Sequence, residues 1–321
     1  MRLFNQQDIE NALPMSDAIA LMGEAFVAIS DASVQSTERQ VLEISSGHAL
    51  LMAASKAGLG LASKLVTVIP GNAKTGLPVS SGLALLLNEE DGQAQALFDA
   101  TALTTWRTAA AVGFATELLA KQHARTGLLV GCGTQARAQL LAMQTARPLS
   151  EIWVTARDAG RVQQFIDRMR NEVSVKLNAV EDLSFATQSA DLITCVTSSE
   201  RPVIDGQDVR AGCHVNAVGS FRPGMRELDL NLIGKSSVFV ESRETALAEA
   251  GELIAARDAG VSETSQWREI SEVVVNQVSG RQQDAERTIF KSVGHAVFDL
   301  LAAAAINRQA KIKNLGTQWQ F

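Results

Sequence analysis

Between Ser16 and Ile29 the apolar residues recur at three- and four-residue spacing, as Ile19, Met22, Phe26 and Ile29. That period lays one buried stripe along a helix, and Ser16 stands where an N-cap belongs. From Arg39 onward the period shortens. Apolar runs broken by turn residues predict strands over 40–44, 49–53, 62–69, 82–87 and 93–98. The segment 88–92 joins the last two and ends in Asp-Gly, a hairpin signal. This part reads as a largely antiparallel sheet with helices. A helix follows over 101–121, rich in Ala and Thr and therefore suited to close packing.

The pattern then changes again. Strands predicted over 126–130, 151–156, 175–180, 192–197, 215–218 and 237–241 alternate with helical stretches. Six strands interleaved with helices describe an α/β region, a doubly wound parallel sheet. At its first strand-to-helix junction lies Gly131-Cys132-Gly133-Thr134-Gln135-Ala136. A strand, a glycine turn and a helix form the cradle that a dinucleotide pyrophosphate needs, with backbone N–H groups at the helix start facing the phosphates. Ala136 fills the third position of that fingerprint, which its broader form allows. The chain closes with an apolar helix over 296–307 and a polar tail, and the helix is expected to return to the first domain.

Composition narrows the functional classes. The chain has 321 residues, 46% apolar and 20% charged, enough for two domains with a core each. A net charge of −6 with no basic run argues against nucleic acid and anionic membrane as partners. Cys132, Cys195 and Cys213 are odd in number and scattered through apolar segments. They read as buried small hydrophobes of a reducing compartment, and their spacing supports no metal site. No signal peptide is visible after Met1, so the expected location is the cytoplasm.

Cofactor choice turns on the end of the second strand, about 20 residues past the glycine turn, where NAD enzymes carry an acid for the ribose hydroxyl. Here Ala156 occupies that place and Arg157 follows, which favours a 2′-phosphate and NADP(H). Asp158 keeps NAD(H) open, because a shift of one residue makes it the selecting acid. For the substrate, three cations stand out: Arg39 opens an apolar strand, Lys64 interrupts another, and Arg107 lies among Thr and Ala on the packed helix. A cation in so apolar a stretch either pairs with an internal carboxylate or awaits a ligand. The four histidines are dispersed, and His295, at a helix start, reads as a polar cap.

Several segments, taken in order, resemble one known family. They are Arg39-Gln40-Val41, Lys64-Leu65-Val66-Thr67, Pro70-Gly71-Asn72 with Gly76-Leu77-Pro78, and Leu103-Thr104-Thr105-Trp106-Arg107-Thr108. The glycine turn comes next. After it come Asn216-Ala217-Val218-Gly219-Ser220-Phe221-Arg222-Pro223, Glu249-Ala250-Gly251-Glu252-Leu253 and Phe290-Lys291-Ser292-Val293-Gly294. As a set, covering nearly the whole chain, they are similar to the ornithine cyclodeaminase/mu-crystallin family. The resemblance implies a homodimer whose Rossmann domain, 119–296, is inserted into a mixed α+β substrate and dimerisation domain, 1–118 plus 297–321. It implies that Arg39, Lys64 and Arg107 hold a substrate carboxylate. It also sets Thr108, Gly131, Gly133, Thr134, Gln135, Ala136, Arg157, Thr197, Val218, Gly219 and Ser292 at the cofactor.

Within that family the cyclodeaminases and an alanine dehydrogenase carry a catalytic Asp two residues beyond the glycine that matches Gly219. This chain has Phe221 there, which neither accepts a proton nor orients a water. The Ser-Phe-Arg-Pro form looks like the subgroup that reduces cyclic imino acids, with Gly224 departing from that subgroup's usual Asp. The resulting expectation is NADPH-dependent reduction of 1-pyrroline-2-carboxylate to proline, and of the six-membered homologue to pipecolate. The proton donor would be Lys64, in addition to its carboxylate contact, or a water, and Phe221 would add an apolar wall beside the ring. Two alternatives stay open: another enzyme of the family, alanine dehydrogenase or cyclodeaminase, and a crystallin-like binding protein without turnover. Glu227 and Asp229 read as capping and turn residues.

Overall fold

A computed structural model describes residues 1–320, except for the side chain of Ala73. Two compact units emerge, Met1–Ala110 with the chain from Gly294 onward, and Ala111–Val293. The first boundary falls inside a long helix rather than at its end.

The first unit opens with β1 (Arg2–Phe4), α1 (Gln6–Ala12) and α2 (Met15–Ser30). Asn5 caps α1 in a capping box with Asp8. Ser16 is not a cap: α2 begins at Met15 after Pro14, whose fixed φ suits a helix entrance, and the Ser16 hydroxyl turns to Asp17. The predicted stripe is otherwise in place, with Ile19, Met22 and Phe26 buried. Strands β2 (Gln35–Ser36), β3 (Gln40–Ile44), β4 (Gly47–Lys56), β5 (Gly60–Val68), β6 (Ser80–Leu87) and β7 (Ala94–Asp99) follow. All pair antiparallel except β1, which joins β7 in parallel, so the sheet is mixed. Then α3 (Ala100–Leu119) begins.

Alternation along β5 decides where its lysine goes. Ala62, Lys64 and Val68 are buried while Leu61 and Leu65 are exposed, so Lys64 occupies an inward position of the pleat. In register it lies opposite Met52 on β4 and Ala84 on β6, on the covered face.

The second unit holds a parallel sheet of eight strands: β8 (Thr126–Val130), β9 (Glu151–Thr155), β10 (Lys176–Ala179), β11 (Leu192–Cys195), β12 (His214–Ala217), β13 (Ser237–Val240), β14 (Arg268–Glu269) and β15 (Thr288–Lys291). Their order is β10-β9-β8-β11-β12-β15-β13-β14. Six of the eight are the predicted strands. β15 closes on a lysine and does not stand out as an apolar run, yet it sits between β12 and β13. Helices α4 (Ala136–Ala146), α5 (Ala159–Met169), α6 (Leu183–Ser189), α7 (Leu230–Gly234), α8 (Arg243–Glu249), α9 (Gly251–Asp258) and α10 (Ile270–Val274) connect the strands. Strand order reverses at β8, which has β9 on one side and β11 on the other. In such sheets ligands bind beyond the carboxyl ends of the strands at that reversal.

From Gly294 the chain belongs to the first unit again, through α11 (Ala296–Lys313) and a last edge strand β16 (Thr317–Gln318) beside β1. His295 caps α11, its Nδ1 accepting from the Val297 N–H. α11 lies against α2, β4 and β5, where Phe298 meets Phe26 edge-on with ring centroids 5.0 Å apart. No single helix among the described residues is long and apolar enough to cross a membrane; α1 and α2 together have the length and composition, with a bend of 77° between them.

Candidate functional site

In the first unit, Lys64 and Arg107 converge on a carboxylate that the sequence reading did not single out. Lys64 Nζ donates to Asp299 Oδ2 at 2.6 Å and to Thr104 Oγ1 at 3.1 Å. Arg107 Nε donates to Asp299 Oδ1 at 2.9 Å. All three charged side chains are buried, with residue exposures of 6% for Lys64 and 3% for Arg107 and Asp299. Both cations are thus paired with an internal carboxylate. Asp299 breaks the pattern of its segment as Lys64 does, an acid alone in the apolar run 296–307.

That carboxylate leaves donors over. Arg107 Nη1 is buried and has no hydrogen-bond partner. Gly294 holds φ at +90°, and a Cβ there would stand 3.1 Å from Arg107 Nη1, 3.2 Å from Nη2 and 3.5 Å from Arg39 Nη2. The two guanidinium groups therefore converge at a glycine that makes room for them. Burial lowers the Lys64 pKa to about 8, with Arg107 and Arg39 adding to the shift and Asp299 opposing it. Burial opposes ionisation of Asp299, but Arg107 and Lys64 hold its carboxyl below the usual range. Lys64 and Arg107 against the single carboxylate of Asp299 leave a net positive charge, suited to an anion.

In the second unit, a cleft of about 750 Å³ lies beyond β8, β9 and β11. Its lining includes Gly131, Gly133, Ala156, Arg157, Arg161 and Thr197. Gly131 has φ +116°, donates its N–H to Thr155 O, and would place a Cβ 2.8 Å from the Val196 carbonyl oxygen. Gly133 differs: a Cβ there meets no atom within 4 Å. Thr134 and Gln135 lead into α4 at Ala136, and no side chain caps that helix. The Ala136 N–H donates to Gly133 O at 3.1 Å, and with no side-chain cap the next N–H groups of the first turn are the ones placed for an anion. An open turn, an uncapped helix and two cations at the far end fit a dinucleotide. Asp158 caps α5, its carboxylate accepting from the Arg161 N–H at 3.0 Å. Cys132, in the turn, is half-exposed rather than buried, unlike Cys195 and Cys213.

The loops after β11 and β12 are fastened by Glu227. This buried carboxylate accepts from Thr197 N and Oγ1 at 2.6 and 2.9 Å, and from Gly219 N at 2.7 Å and Ser220 N at 3.3 Å. It is a bridge between two loops and not the helix cap read from the sequence. Asp229 is a cap, accepting from Leu232 N on α7. Lys291, at the end of β15, pairs with Glu252 at 3.2 Å and donates to Ser220 Oγ at 2.7 Å, so the 218–221 loop is held from below. Phe221 is half-buried, with the Arg222 guanidinium 5.2 Å from its ring centre. Val218 follows β12, and the Ser292 hydroxyl after β15 donates to Glu241 Oε1 at 2.8 Å. Thr108 lies buried on α3 in the first unit. Among the described residues, no group of three His, Cys, Asp or Glu is placed to hold a metal ion.

A parallel sheet with a glycine turn at its point of reversal defines a dinucleotide-binding protein. Comparison with known proteins sharpens that class. Residues 2–314 match the sequence profile of the ornithine cyclodeaminase/mu-crystallin family. The chain belongs to that family. A Δ1-pyrroline-2-carboxylate reductase of Paracoccus denitrificans is 36% identical over 253 residues, 78% of this chain and 80% of the relative. The structure of Thermococcus litoralis Δ1-pyrroline-2-carboxylate reductase with NADH and L-proline superposes with a TM-score of 0.95 at 31% identity, covering 99% of this chain and all of that one. An archaeal alanine dehydrogenase dimer with bound NAD gives 0.92 at 30% identity, covering 100% of this chain and 99% of its own.

Proposed function

We propose that this chain, an NAD(P)-dependent oxidoreductase of its family, reduces a cyclic imino acid: 1-pyrroline-2-carboxylate to L-proline, and the six-membered homologue to L-pipecolate. The observation that carries this reading is the buried cluster of Lys64, Arg107 and Asp299, with Arg107 Nη1 left without a partner. A guanidinium edge with a donor to spare, beside a second guanidinium and an ammonium, is a receptor for a carboxylate. The cofactor supplies a hydride to the carbon of the C=N bond. Lys64, with a pKa near 8, supplies the proton to the imine nitrogen and regains it from solvent. Phe221 supports reduction over cyclodeamination, because that chemistry needs an acid or base where the phenyl ring stands. The alanine dehydrogenase likeness keeps a second reading alive, reductive amination of a 2-oxo acid.

The test follows nicotinamide oxidation by the intact protein with the cyclic imine, with pyruvate plus ammonia, and without substrate. Imine-dependent oxidation supports the reading. Its absence with both NADPH and NADH sinks it, and turnover only with pyruvate and ammonia installs the alternative.

NADPH is the cofactor this reading prefers. Arg157 and Arg161 both line the cleft, and the Asp158 carboxylate is engaged as a helix cap. The two solved relatives carry NADH and NAD, so the preference rests on these side chains alone. Arg157→Ala is expected to weaken NADPH roughly ten- to a hundredfold, the worth of one charge-assisted contact, and NADH by less than about threefold. Fluorescence titration with each nucleotide measures both. Equal losses would remove Arg157 from the 2′-phosphate.

The first unit is read as the substrate and dimerisation domain. One face of its sheet is covered by α11, and the other leaves Leu42, Leu65 and Leu83 exposed, at 59%, 47% and 56%. Leu65 and Leu83 are direct cross-strand partners. An apolar sheet face of this kind favours burial against a second copy. The double substitution Leu65→Arg, Leu83→Glu is expected to convert a dimer to a monomer by sedimentation velocity, and an unchanged dimer mass would place the interface elsewhere.

A further inference from the structure

We infer that Asp299 is the positioning residue that keeps Lys64 in its protonated, proton-donating form while leaving the outer edge of Arg107 open to the substrate. The role rests on the reduction proposed above. Its geometry is independent of it.

Each oxygen of Asp299 serves a different cation: Oδ2 takes the Lys64 ammonium at 2.6 Å, and Oδ1 takes Arg107 through Nε at 2.9 Å. The carboxylate meets Arg107 at Nε, and Nη1 is left without a hydrogen-bond partner. The charged groups about Lys64 are Asp299 from α11, Arg107 from α3 and Arg39 from the segment before β3. His295 caps α11 one turn ahead of Asp299, and His48 lies four residues along β4 from Met52, the residue opposite Lys64. Asp299 is thus the anion that faces a buried ammonium crowded by two guanidinium groups. Without it, burial and like charge both act to expel the proton. With it, the ammonium persists to about pH 8 and can hand a proton to the imine nitrogen as hydride reaches the carbon. The neutral amine left behind is reprotonated by water.

Asp299→Asn removes the charge and keeps the shape. The experiment uses the full-length protein, and its first readout does not depend on activity. Competitive acetylation across a pH series, with mass spectrometry of the Lys64 peptide, gives the pH at which Lys64 becomes reactive. The midpoint should lie near 8 in the parent. It should fall by about one unit or more in Asp299→Asn. Thr104→Val, which removes the other Lys64 contact without a charge, should leave the midpoint in place. The second readout is the alkaline limb of imine reduction, expected to move to lower pH by the same interval, with activity regained on acidification. If Asp299→Asn does not fold, Asp299→Glu is titrated instead: its longer carboxylate weakens the contact and lowers the midpoint by a smaller interval. Equal midpoints in parent and variant overturn the inference, as does a loss of turnover that is the same at every pH. Should the parent not reduce the imine, the labelling midpoints still decide the role of Asp299, and only the substrate is wrong.

Discussion

Arg107→Ala is expected to raise the apparent KM for the cyclic imine by roughly a hundred- to a thousandfold while leaving the KM for the nicotinamide cofactor within about threefold. Truncating one partner of a buried, hydrogen-bonded charge pair costs about 2–5 kcal/mol, and part of that cost is the charge left behind. Here two charges lose a partner: the incoming carboxylate, and Asp299, which retains Lys64. The variant should therefore also be less stable, so substrate dependence must be read on protein shown to be folded. Arg107→Lys gives the sharper comparison. A lysine restores the charge but cannot reach Asp299 through one nitrogen and a substrate through two others. It should recover stability before it recovers affinity. Under the proposed reduction Lys64→Ala is expected to lower kcat as well as raise the substrate KM, since the residue would serve both as proton donor and as a carboxylate contact. Unchanged substrate KM in both Arg107 variants would remove the guanidinium from the substrate site and leave it a partner of Asp299 only.

The contrast between the two cations and their acid shows what a linear sequence conveys. Lys64 was visible because a lysine in an apolar strand breaks the pattern, and the pleat shows it turned inward. Asp299 breaks the pattern of its helix in the same way, but it stands 235 residues away. Nothing in either segment says that they meet, since a salt bridge between distant elements leaves no periodic trace. Glu227 illustrates a second limit. It looks like a cap because caps are acids near helix starts, yet its four donors come from two loops brought together only by the strand order. The parallel sheet itself was legible, because strands and helices of different period alternate. Its order was not: β15, the last of this sheet's strands in sequence, enters between β12 and β13, which no local pattern encodes. Cys132 failed for a local reason, since a glycine turn exposes what a strand would bury.

The two glycines of the turn are expected to separate folding from cofactor binding. Gly131 serves the chain. Its φ of +116° is one that side-chain-bearing residues rarely adopt, and a Cβ would press on the Val196 carbonyl at 2.8 Å. Gly131→Val should cost about 1–3 kcal/mol from backbone conformation alone, and more from that contact. Gly133 serves the ligand. Its φ is not left-handed, the residue is exposed, and a Cβ would enter open space. Gly133→Val is therefore expected to keep stability within about 0.5 kcal/mol of the parent. The space it fills, however, is where a diphosphate would approach the N–H groups at the start of α4. Losing one charge-assisted hydrogen bond to an anion costs about 1.5–3 kcal/mol, so a single lost contact weakens binding roughly ten- to a hundredfold. The effect should be the same for NADH and NADPH, because the diphosphate is common to both, whereas Arg157→Ala should separate them. Thermal unfolding paired with calorimetric titration of each nucleotide resolves the two glycines. A Gly133→Val protein that is stable and binds both nucleotides as the parent does would show that the diphosphate does not rest on this turn. Loss of stability equal to that of Gly131→Val would show that the open space beside Gly133 is needed by the fold itself.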